Sequence, residues 1–189
     1  YWDISRDCLT EKELHKLIDE LFHAGHYEES SLAIHFLERM RGDYTPDMFE
    51  RIFRWFDPCI ANWAHTDLMS QKVLAPFLNK RIIELHHFEP WLESSHKWTR
   101  RAVPVTLIFM DDIKEHIEDY LALVRPLMTD KEEMVHKGTG WFLREAWKKK
   151  PGTIEEFLFE WKNVSPRLII QYATEKMSKE ERQRFKRSK

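Results

Sequence analysis

The chain has 189 residues, enough for one compact domain with its own core, and 42% of them are hydrophobic while 33% are charged. No apolar run is long enough to cross a bilayer, so we expect no membrane segment. The net charge of −2 excludes a basic field over the whole surface. The charge is uneven, because residues 1–90 hold 10 Lys and Arg against 16 Asp and Glu, and residues 91–189 hold 20 against 16.

Helix signals recur along the chain, and five glycines leave little room for hairpins. The capping pattern Ser/Thr-x-x-Glu begins at Thr10, Thr129, Thr153 and Ser178. First-turn prolines are expected at Pro46, Pro90 and Pro166. The pattern predicts helices at 10–24, 27–41, 46–56, 67–78, 79–87, 90–95, 97–109, 112–126, 130–148, 153–162, 166–176 and 178–186.

A short step, Trp-x-x-Arg, occurs twice. Trp98 precedes Arg101 and Trp141 precedes Arg144, and the two tryptophans are 43 residues apart. This spacing lies in the range of roughly 40–47 residues that is typical of HEAT and armadillo repeats. We therefore expect an all-α fold of HEAT-like helical repeats stacked into a curved α-solenoid, in one domain over residues 1–189. An irregular helical bundle is the alternative.

The chain ends in a basic segment, residues 176–189. It could meet a polyanion, or it could be a solvated tail, which is the usual structure of such segments. The two cysteines, Cys8 and Cys59, lack metal or redox spacing. They indicate cytoplasmic thiols, so we expect a cytoplasmic protein.

Trp63 and Asp67 are four residues apart, so a helix would place them on one face. An indole can lie against a cation, and a carboxylate one turn away adds charge complementarity. The alternative is a core tryptophan with a solvated or capping aspartate. The Trp-x-x-Arg steps also place an indole beside a guanidinium, whose planar fork suits phosphate. Their alternative is an arginine stem that covers a buried indole.

The segment Lys137-Gly138-Thr139-Gly140 leads directly into Trp141. Its small residues would permit a close approach of backbone or ligand, although the phosphate-binding GxxxxGK[ST] pattern is absent. Lys148 follows near the end of the same predicted helix, where a cation complements the helix dipole or touches phosphate. None of the ten histidines has metal-ligand spacing, so we expect no metal and no cofactor.

At these residues the chain resembles the DNA alkylation repair enzymes, the AlkD-type alkylpurine DNA glycosylases built from HEAT-like repeats. The resemblance runs from about Tyr27 to Glu175, and four stretches in register carry it. They are Tyr27-Glu28-Glu29-Ser30-Ser31-Leu32-Ala33, Trp63-Ala64-His65-Thr66-Asp67, Trp98-Thr99-Arg100-Arg101-Ala102 and Lys137-Gly138-Thr139-Gly140-Trp141-Phe142-Leu143-Arg144-Glu145. Only 62 residues precede Trp63, fewer than in the family, so we expect either a shortened first repeat or a sequence that begins late.

The resemblance implies base excision repair, in which N3- or N7-alkylated purines are removed from duplex DNA by hydrolysis of the N-glycosidic bond. It implies no base-flipping pocket, unlike most glycosylases. It places the catalytic site at Asp67, Trp63 and Trp141. Among the DNA-binding residues, the phosphate-binding arginine maps onto Arg101, or in a less natural register onto Arg100. Arg144, Lys148 and Lys137 are the other DNA-binding candidates.

The expected partner is duplex DNA that contains alkylated purines, and the simplest expectation is a monomer. The rival interpretation is a non-catalytic HEAT-like scaffold that binds DNA or protein, because helical solenoids often serve that purpose and a fold does not establish a function.

Overall fold

The computed structural model describes residues 9–187, and every regular element in that range is helical. The expected all-α fold is therefore confirmed. The chain divides into two compact units, Tyr1–Glu84 and Leu85–Lys189. No helix within residues 9–187 has the length and apolar character that a membrane span requires. Cys8 and Lys189 lie outside the described residues, and Cys59 is a free thiol.

The first unit consists of paired helices around an aromatic-rich core. Helix α1 packs against α2 and α3, and α2 also packs against α4 and the π turn that follows it. The most deeply buried large side chains include Phe22, Phe49, Phe56 and Phe77. The elements are α1 (Glu11–His23), α2 (Tyr27–Arg39), α3 (Pro46–Cys59), α4 (Trp63–Met69), a π turn (Ser70–Leu74) and α5 (Ala75–Asn79).

Side-chain caps set the helix starts of the first unit. Thr10 forms the expected capping box with Glu13, and Thr45 caps α3 with Pro46 in its first turn. Helix α4 begins at Trp63 rather than at residue 67, because Asn62 Oδ1 accepts a hydrogen bond from His65 N at 2.9 Å.

The predicted helix at 79–87 is wrong. Arg81 adopts a left-handed φ of 55°. Ile82 N donates to Phe77 O at 2.9 Å and Arg81 N donates to Leu78 O at 2.8 Å, which is the Schellman pattern that ends a helix. Because the left-handed residue is an arginine and not a glycine, the sequence does not indicate that the helix ends here.

The π turn is explained by Pro76 and Arg41. Pro76 has no N–H, so the carbonyl of Lys72 loses its normal partner four residues on. Arg41 replaces that partner, donating to Lys72 O from Nε at 3.0 Å and from Nη2 at 2.8 Å. Ala75 N donates instead to Ser70 O, five residues back. The guanidinium therefore satisfies the carbonyl that the proline leaves open.

The second unit is built around one long helix. Helix α9 packs against α7, α10 and α11. The elements are a 3₁₀ turn (Leu85–Phe88), α6 (Glu89–Glu93), α7 (Lys97–Leu107), α8 (Ile117–Val124), a second 3₁₀ turn (Arg125–Thr129), α9 (Glu133–Lys149), α10 (Pro151–Trp161), α11 (Arg167–Ala173) and α12 (Lys179–Gln183).

Several predicted boundaries in the second unit are shifted. Helix α8 starts at Ile117 because residues 111–116 form turns. Thr129 lies in a 3₁₀ turn and Thr153 is inside α10, so neither forms the expected capping box, whereas Ser178 does. Pro90 is in the first turn of α6 as expected, but Pro166 precedes α11 as its N-cap.

The basic C-terminal segment packs onto the second unit up to residue 187, contrary to the solvated tail that its composition favours. Phe185 is fully buried and its ring lies 4.6 Å from that of Phe159. Arg184 donates to Glu155 Oε2 at 2.8 Å, and Arg187 donates to Ser165 O at 3.0 Å. Burial of one phenylalanine thus anchors a segment whose charges alone predict disorder.

The replacement Arg41→Met should lower the free energy of unfolding by about 1–2 kcal/mol, because it leaves the Lys72 carbonyl without its donors. Urea denaturation followed by circular dichroism measures the change. The control is Arg39→Met, since Arg39 is exposed and its side chain forms no hydrogen bond or ion pair with the described residues. It should shift stability by less than about 0.5 kcal/mol. Equal losses in the two variants would contradict the role of Arg41.

Candidate functional site

Trp63 and Asp67 lie one turn apart on α4, as their spacing predicts. Trp63 is the first residue of the helix, and its side chain is 56% exposed. Asp67 is half-buried, while His65 and Thr66 between them are buried. The helix is thus fixed by its inner face and presents an indole to solvent. Tryptophan side chains are usually mostly buried, so an indole that is more than half exposed is unusual and is available to a ligand.

His65 anchors α4 through both ring nitrogens. Ser31 Oγ lies 2.9 Å from Tyr27 O, to which its hydroxyl donates, and 3.0 Å from His65 Nε2. Asn62 Nδ2 lies 3.0 Å from His65 Nδ1. Since the hydroxyl proton goes to Tyr27 O, Ser31 accepts from Nε2–H and Asn62 donates to Nδ1. The imidazole is therefore neutral, with its proton on Nε2.

Tyr27 covers the imidazole from the solvent side. Its ring is stacked on His65 with centroids 4.4 Å apart, and the tyrosine remains 56% exposed. Burial lowers the pKa of His65, and the nearby backbone carbonyl of Tyr27 offsets this in part. Sequence analysis did not select Tyr27, Asn62 or His65 for this role. The Asn-x-x-His spacing could have identified only the Asn62 cap of α4, because the contacts of His65 with Tyr27 and Ser31 are distant in sequence.

Arg101 in the second unit lies flat between α7 and α9. It is 5% exposed and donates from Nη1 to Met134 O at 2.6 Å. A Cβ at Gly138 would lie 3.2 Å from Arg101 Cγ and 3.3 Å from Val105 Cγ2. Gly138 therefore leaves room for the arginine stem. The ion pair with Glu133, at 2.6 Å, raises the pKa of Lys137, and the nearby charge of Arg101 acts in the opposite direction.

Trp141 lies on α9, three residues after Gly138. It is half-buried, and Phe109 meets its ring edge-on with centroids 6.3 Å apart and planes 86° apart. One part of the indole is thus packed and another remains accessible. Trp98, the tryptophan of the first Trp-x-x-Arg step, is instead 8% exposed, and Lys97 covers its ring at 5.2 Å. The two steps are similar in sequence but differ in environment.

Arg100 is buried and forms four hydrogen bonds within the second unit. It donates to both carboxylate oxygens of Asp130, at 2.6 and 3.1 Å, and to the backbone oxygens of Ser94 and Ser95. Both charged side chains are less than a tenth exposed. Such a buried bidentate pair holds the start of α7 against the segment before α9. Arg101 is as deeply buried as Arg100, so burial alone does not separate the two registers for a phosphate-binding arginine.

Arg144 and Lys148 are bound by carboxylates. Arg144 donates to Glu145 and to Glu175 on the segment after α11, and Lys148 donates to Glu145 at 2.6 Å. Hydrogen bonds from Lys176 and Arg144 lower the pKa of Glu175, so this carboxylate is charged at neutral pH. Either cation would have to exchange a carboxylate for a phosphate in order to bind DNA.

The predicted site residues fall into two groups. The first unit contains Trp63 and Asp67, and the second contains Trp141, Arg100, Arg101, Lys137, Arg144 and Lys148. Within the second unit, α9 carries the indole and three of the cations, and α7 brings Arg101 against its glycine face.

The chain matches the sequence model of a known protein family. The sequence model of the family described as DNA alkylation repair enzyme matches residues 3–177. The chain belongs to the DNA alkylation repair enzyme family. The resemblance found from Tyr27 onward is therefore confirmed, and the match extends it toward the N-terminus.

Among solved structures, the chain is similar to one described as a predicted DNA alkylation repair enzyme from Enterococcus faecalis. The TM-score is 0.76 at 21% sequence identity, over 90% of this chain and 78% of that one. At this identity the likeness shows a shared helical fold. No curated protein matches the chain significantly. Membership of the DNA alkylation repair enzyme family supports a role in DNA repair.

Alanine at Gly140 should destabilise this DNA alkylation repair protein by about 2 kcal/mol. The new Cβ would lie 2.5 Å from Tyr172 Cβ and 2.8 Å from Ile169 O, so α9 and α11 would have to separate. Gly138→Ala should cost less, because the neighbouring Arg101 stem can move and alanine favours a helix. Urea denaturation measures both variants.

The control for the glycine pair is Gly152→Ala in α10, where a Cβ would meet nothing within 4 Å. This variant should match or exceed the wild type in stability. A Gly140→Ala protein as stable as the Gly152→Ala protein would show that α9 and α11 do not need their close approach.

His65 should make stability depend on pH. Its pKa is lowered in the folded protein, so the unfolded chain takes up the proton first as pH falls through about 6.5. We expect the free energy of unfolding to fall from pH 7.5 to pH 5, and His65→Gln to reduce that slope. Denaturant titrations at each pH measure it. His15, whose pKa is also lowered, remains in both proteins, and an unchanged slope would contradict the assignment to His65.

Proposed function

We propose that this DNA alkylation repair protein is a DNA glycosylase. It would excise positively charged N3- or N7-alkylated purines from duplex DNA by hydrolysis of the N-glycosidic bond, without a base-flipping pocket. The observation that carries the proposal is the surface of α4. Trp63 is more than half exposed at the first turn, Asp67 follows one turn later, and the inner face of the helix is anchored by His65.

The chemistry asked of the protein is modest, because an alkylated purine already carries positive charge and leaves as a neutral base. As the bond between the sugar carbon and the purine nitrogen breaks, the sugar becomes cationic, and a water oxygen forms the new bond. Asp67 would stabilise that cation electrostatically and orient the water, whose proton passes to the carboxylate or to solvent. A carboxylate that is half-buried acts more strongly than one in bulk water.

The aromatic and basic residues would position the damaged nucleotide. Trp63 of the first unit would offer its exposed ring face to a cationic base, which favours the lesion over a neutral purine. The resemblance implies the same role for Trp141 of the second unit. Arg101 would hold a phosphate, and its stem is already ordered against Gly138, so less conformational entropy is lost on binding. Three further cations would contact phosphates of the DNA backbone, once each has exchanged its carboxylate partner for a phosphate. They are Lys137, Arg144 and Lys148.

The first test is release of 7-methylguanine from methylated duplex DNA, with wild type and Asp67→Asn compared under single-turnover conditions. We expect Asp67→Asn to lose excision by at least about 100-fold, since it removes the charge that stabilises the transition state. Its affinity for the same duplex should stay within about threefold, because Asp67 faces the sugar and makes no phosphate contact.

The matched control is Asp43→Asn, an exposed aspartate of the first unit whose side chain forms no hydrogen bond or ion pair with the described residues. This variant should excise at the wild-type rate. Equal activity of Asp67→Asn and wild type would remove Asp67 from the mechanism. Failure of the folded wild type to release any base would favour the non-catalytic scaffold that binds DNA or protein.

A further inference from the structure

The first unit carries a groove that sequence analysis did not anticipate. It lies between α1 and α3 and has a volume of ≈ 700 Å³. Trp63 and Asp67 are on α4, which packs against α2 and does not line this groove. The α1–α3 groove is therefore separate from the site proposed for excision.

Four cations line the groove. Lys12 and Lys16 come from α1, and Arg51 and Arg54 come from α3, where they are one turn apart. Lys16 pairs with Glu20 at 3.4 Å. Lys12, Arg51 and Arg54 are exposed and form no ion pair within residues 9–187. Residues 1–84 hold 10 Lys and Arg against 15 Asp and Glu, so these unpaired cations occur in an acid-rich unit.

The floor of the groove offers a further polar group. His15 Nε2 is buried and has no hydrogen-bond partner among the described residues. Burial, and next the charge of Arg51, lower the pKa of His15, so its ring lies in a positive field. A bound anion would screen Arg51 and give the ring nitrogen a partner.

Two carboxylates also line the groove, Glu11 and Asp19. Asp19 is engaged at the wall, because it accepts from Trp55 Nε1 at 2.7 Å and lies 3.7 Å from His23 Nδ1. Glu11 is close enough to act on the pKa of His15. Four cations thus face two carboxylates, and the balance in the groove is positive.

We propose that the α1–α3 groove binds phosphate groups, either along a nucleic-acid backbone or as free phosphate. The planar fork of arginine donates two parallel hydrogen bonds to such an anion, and two unpaired arginines on successive turns offer two forks. Phosphate binding here is independent of the excision proposed for Asp67, and an inactive enzyme could still bind phosphate in this groove.

The test uses the whole chain and an undamaged fluorescein-labelled duplex, so base excision does not enter. Fluorescence anisotropy over a range of NaCl concentrations compares wild type with Arg51→Gln/Arg54→Gln. If both arginines bind backbone phosphates, affinity should fall about 10-fold near physiological salt, and the slope of log Kd against log salt should fall by about 2. Both side chains are exposed, so the variant should melt at the wild-type temperature.

The control pair is Lys179→Gln/Arg182→Gln on α12, which has the same spacing and loses the same charge. Its affinity should change less than twofold. A loss as large as that of the groove pair would assign the effect to net charge and overturn the proposal.

A second measurement separates the two sources of phosphate. Inorganic phosphate is added at constant ionic strength while the backbone amide NMR signals of α1 and α3 are followed. Shifts in wild type that vanish in Arg51→Gln/Arg54→Gln, without an effect on duplex binding, support free phosphate. Duplex binding that depends on the arginines supports the backbone. The groove is not a phosphate site if neither duplex binding nor the phosphate-induced NMR shifts depend on Arg51 and Arg54. The same conclusion follows if only a polyglutamate peptide binds in a way that depends on these two arginines.

Discussion

The close approach of α9 to its neighbours is the constraint on which the second unit depends. Two glycines in the interior of a helix each cost about 1 kcal/mol in helix propensity, and only tight packing compensates for them. Gly140 brings α9 against the backbone of α11, and Gly138 leaves the space in which Arg101 lies. Trp141 follows immediately, so its position is fixed by the same contact. Packing and the candidate site therefore share one origin.

The amount of positive charge in a unit does not indicate where a polyanion can bind. The second unit has the surplus of basic residues, yet much of that charge is held internally. Arg100 is buried against Asp130, Arg144 and Lys148 contact carboxylates, and Arg184 pairs with Glu155. The first unit has the surplus of acid, and nevertheless two arginines along one groove form no ion pair with residues 9–187. Pairing decides which charges remain available, and pairing depends on the fold.

The local rules of helix formation were sufficient to predict the helical class and many helix positions. These rules predicted the helix start correctly where a side-chain hydroxyl caps the first turn, as at Thr10 and Ser178. They failed where tertiary contacts decide the helix boundary. The turn at Arg81 uses a backbone conformation that arginine seldom adopts, and the C-terminal segment is held by one buried phenylalanine.

The candidate site was predictable only in part. The spacing of Trp63 and Asp67 correctly indicated that they lie one turn apart on a helix. The role of His65 depends on Tyr27 and Ser31, which are more than 30 residues away, so no local pattern reveals it. Arg100 and Arg101 are adjacent in sequence, yet Arg100 pairs with the Asp130 carboxylate and Arg101 donates to the Met134 carbonyl, a difference that no local pattern shows.

The π turn after α4 has a consequence for how relatives of this chain should be aligned. A helical turn closed by a hydrogen bond between residues five apart contains one residue more than a turn closed by a bond between residues four apart. A relative that lacks one residue between Asp67 and Pro76 can keep both ends of the helix in place by closing an ordinary turn. A single-residue gap should therefore be allowed inside this helix, at 70–74, where alignment methods normally penalise it. Without that gap, Asp67 would be matched to the wrong position in such a relative.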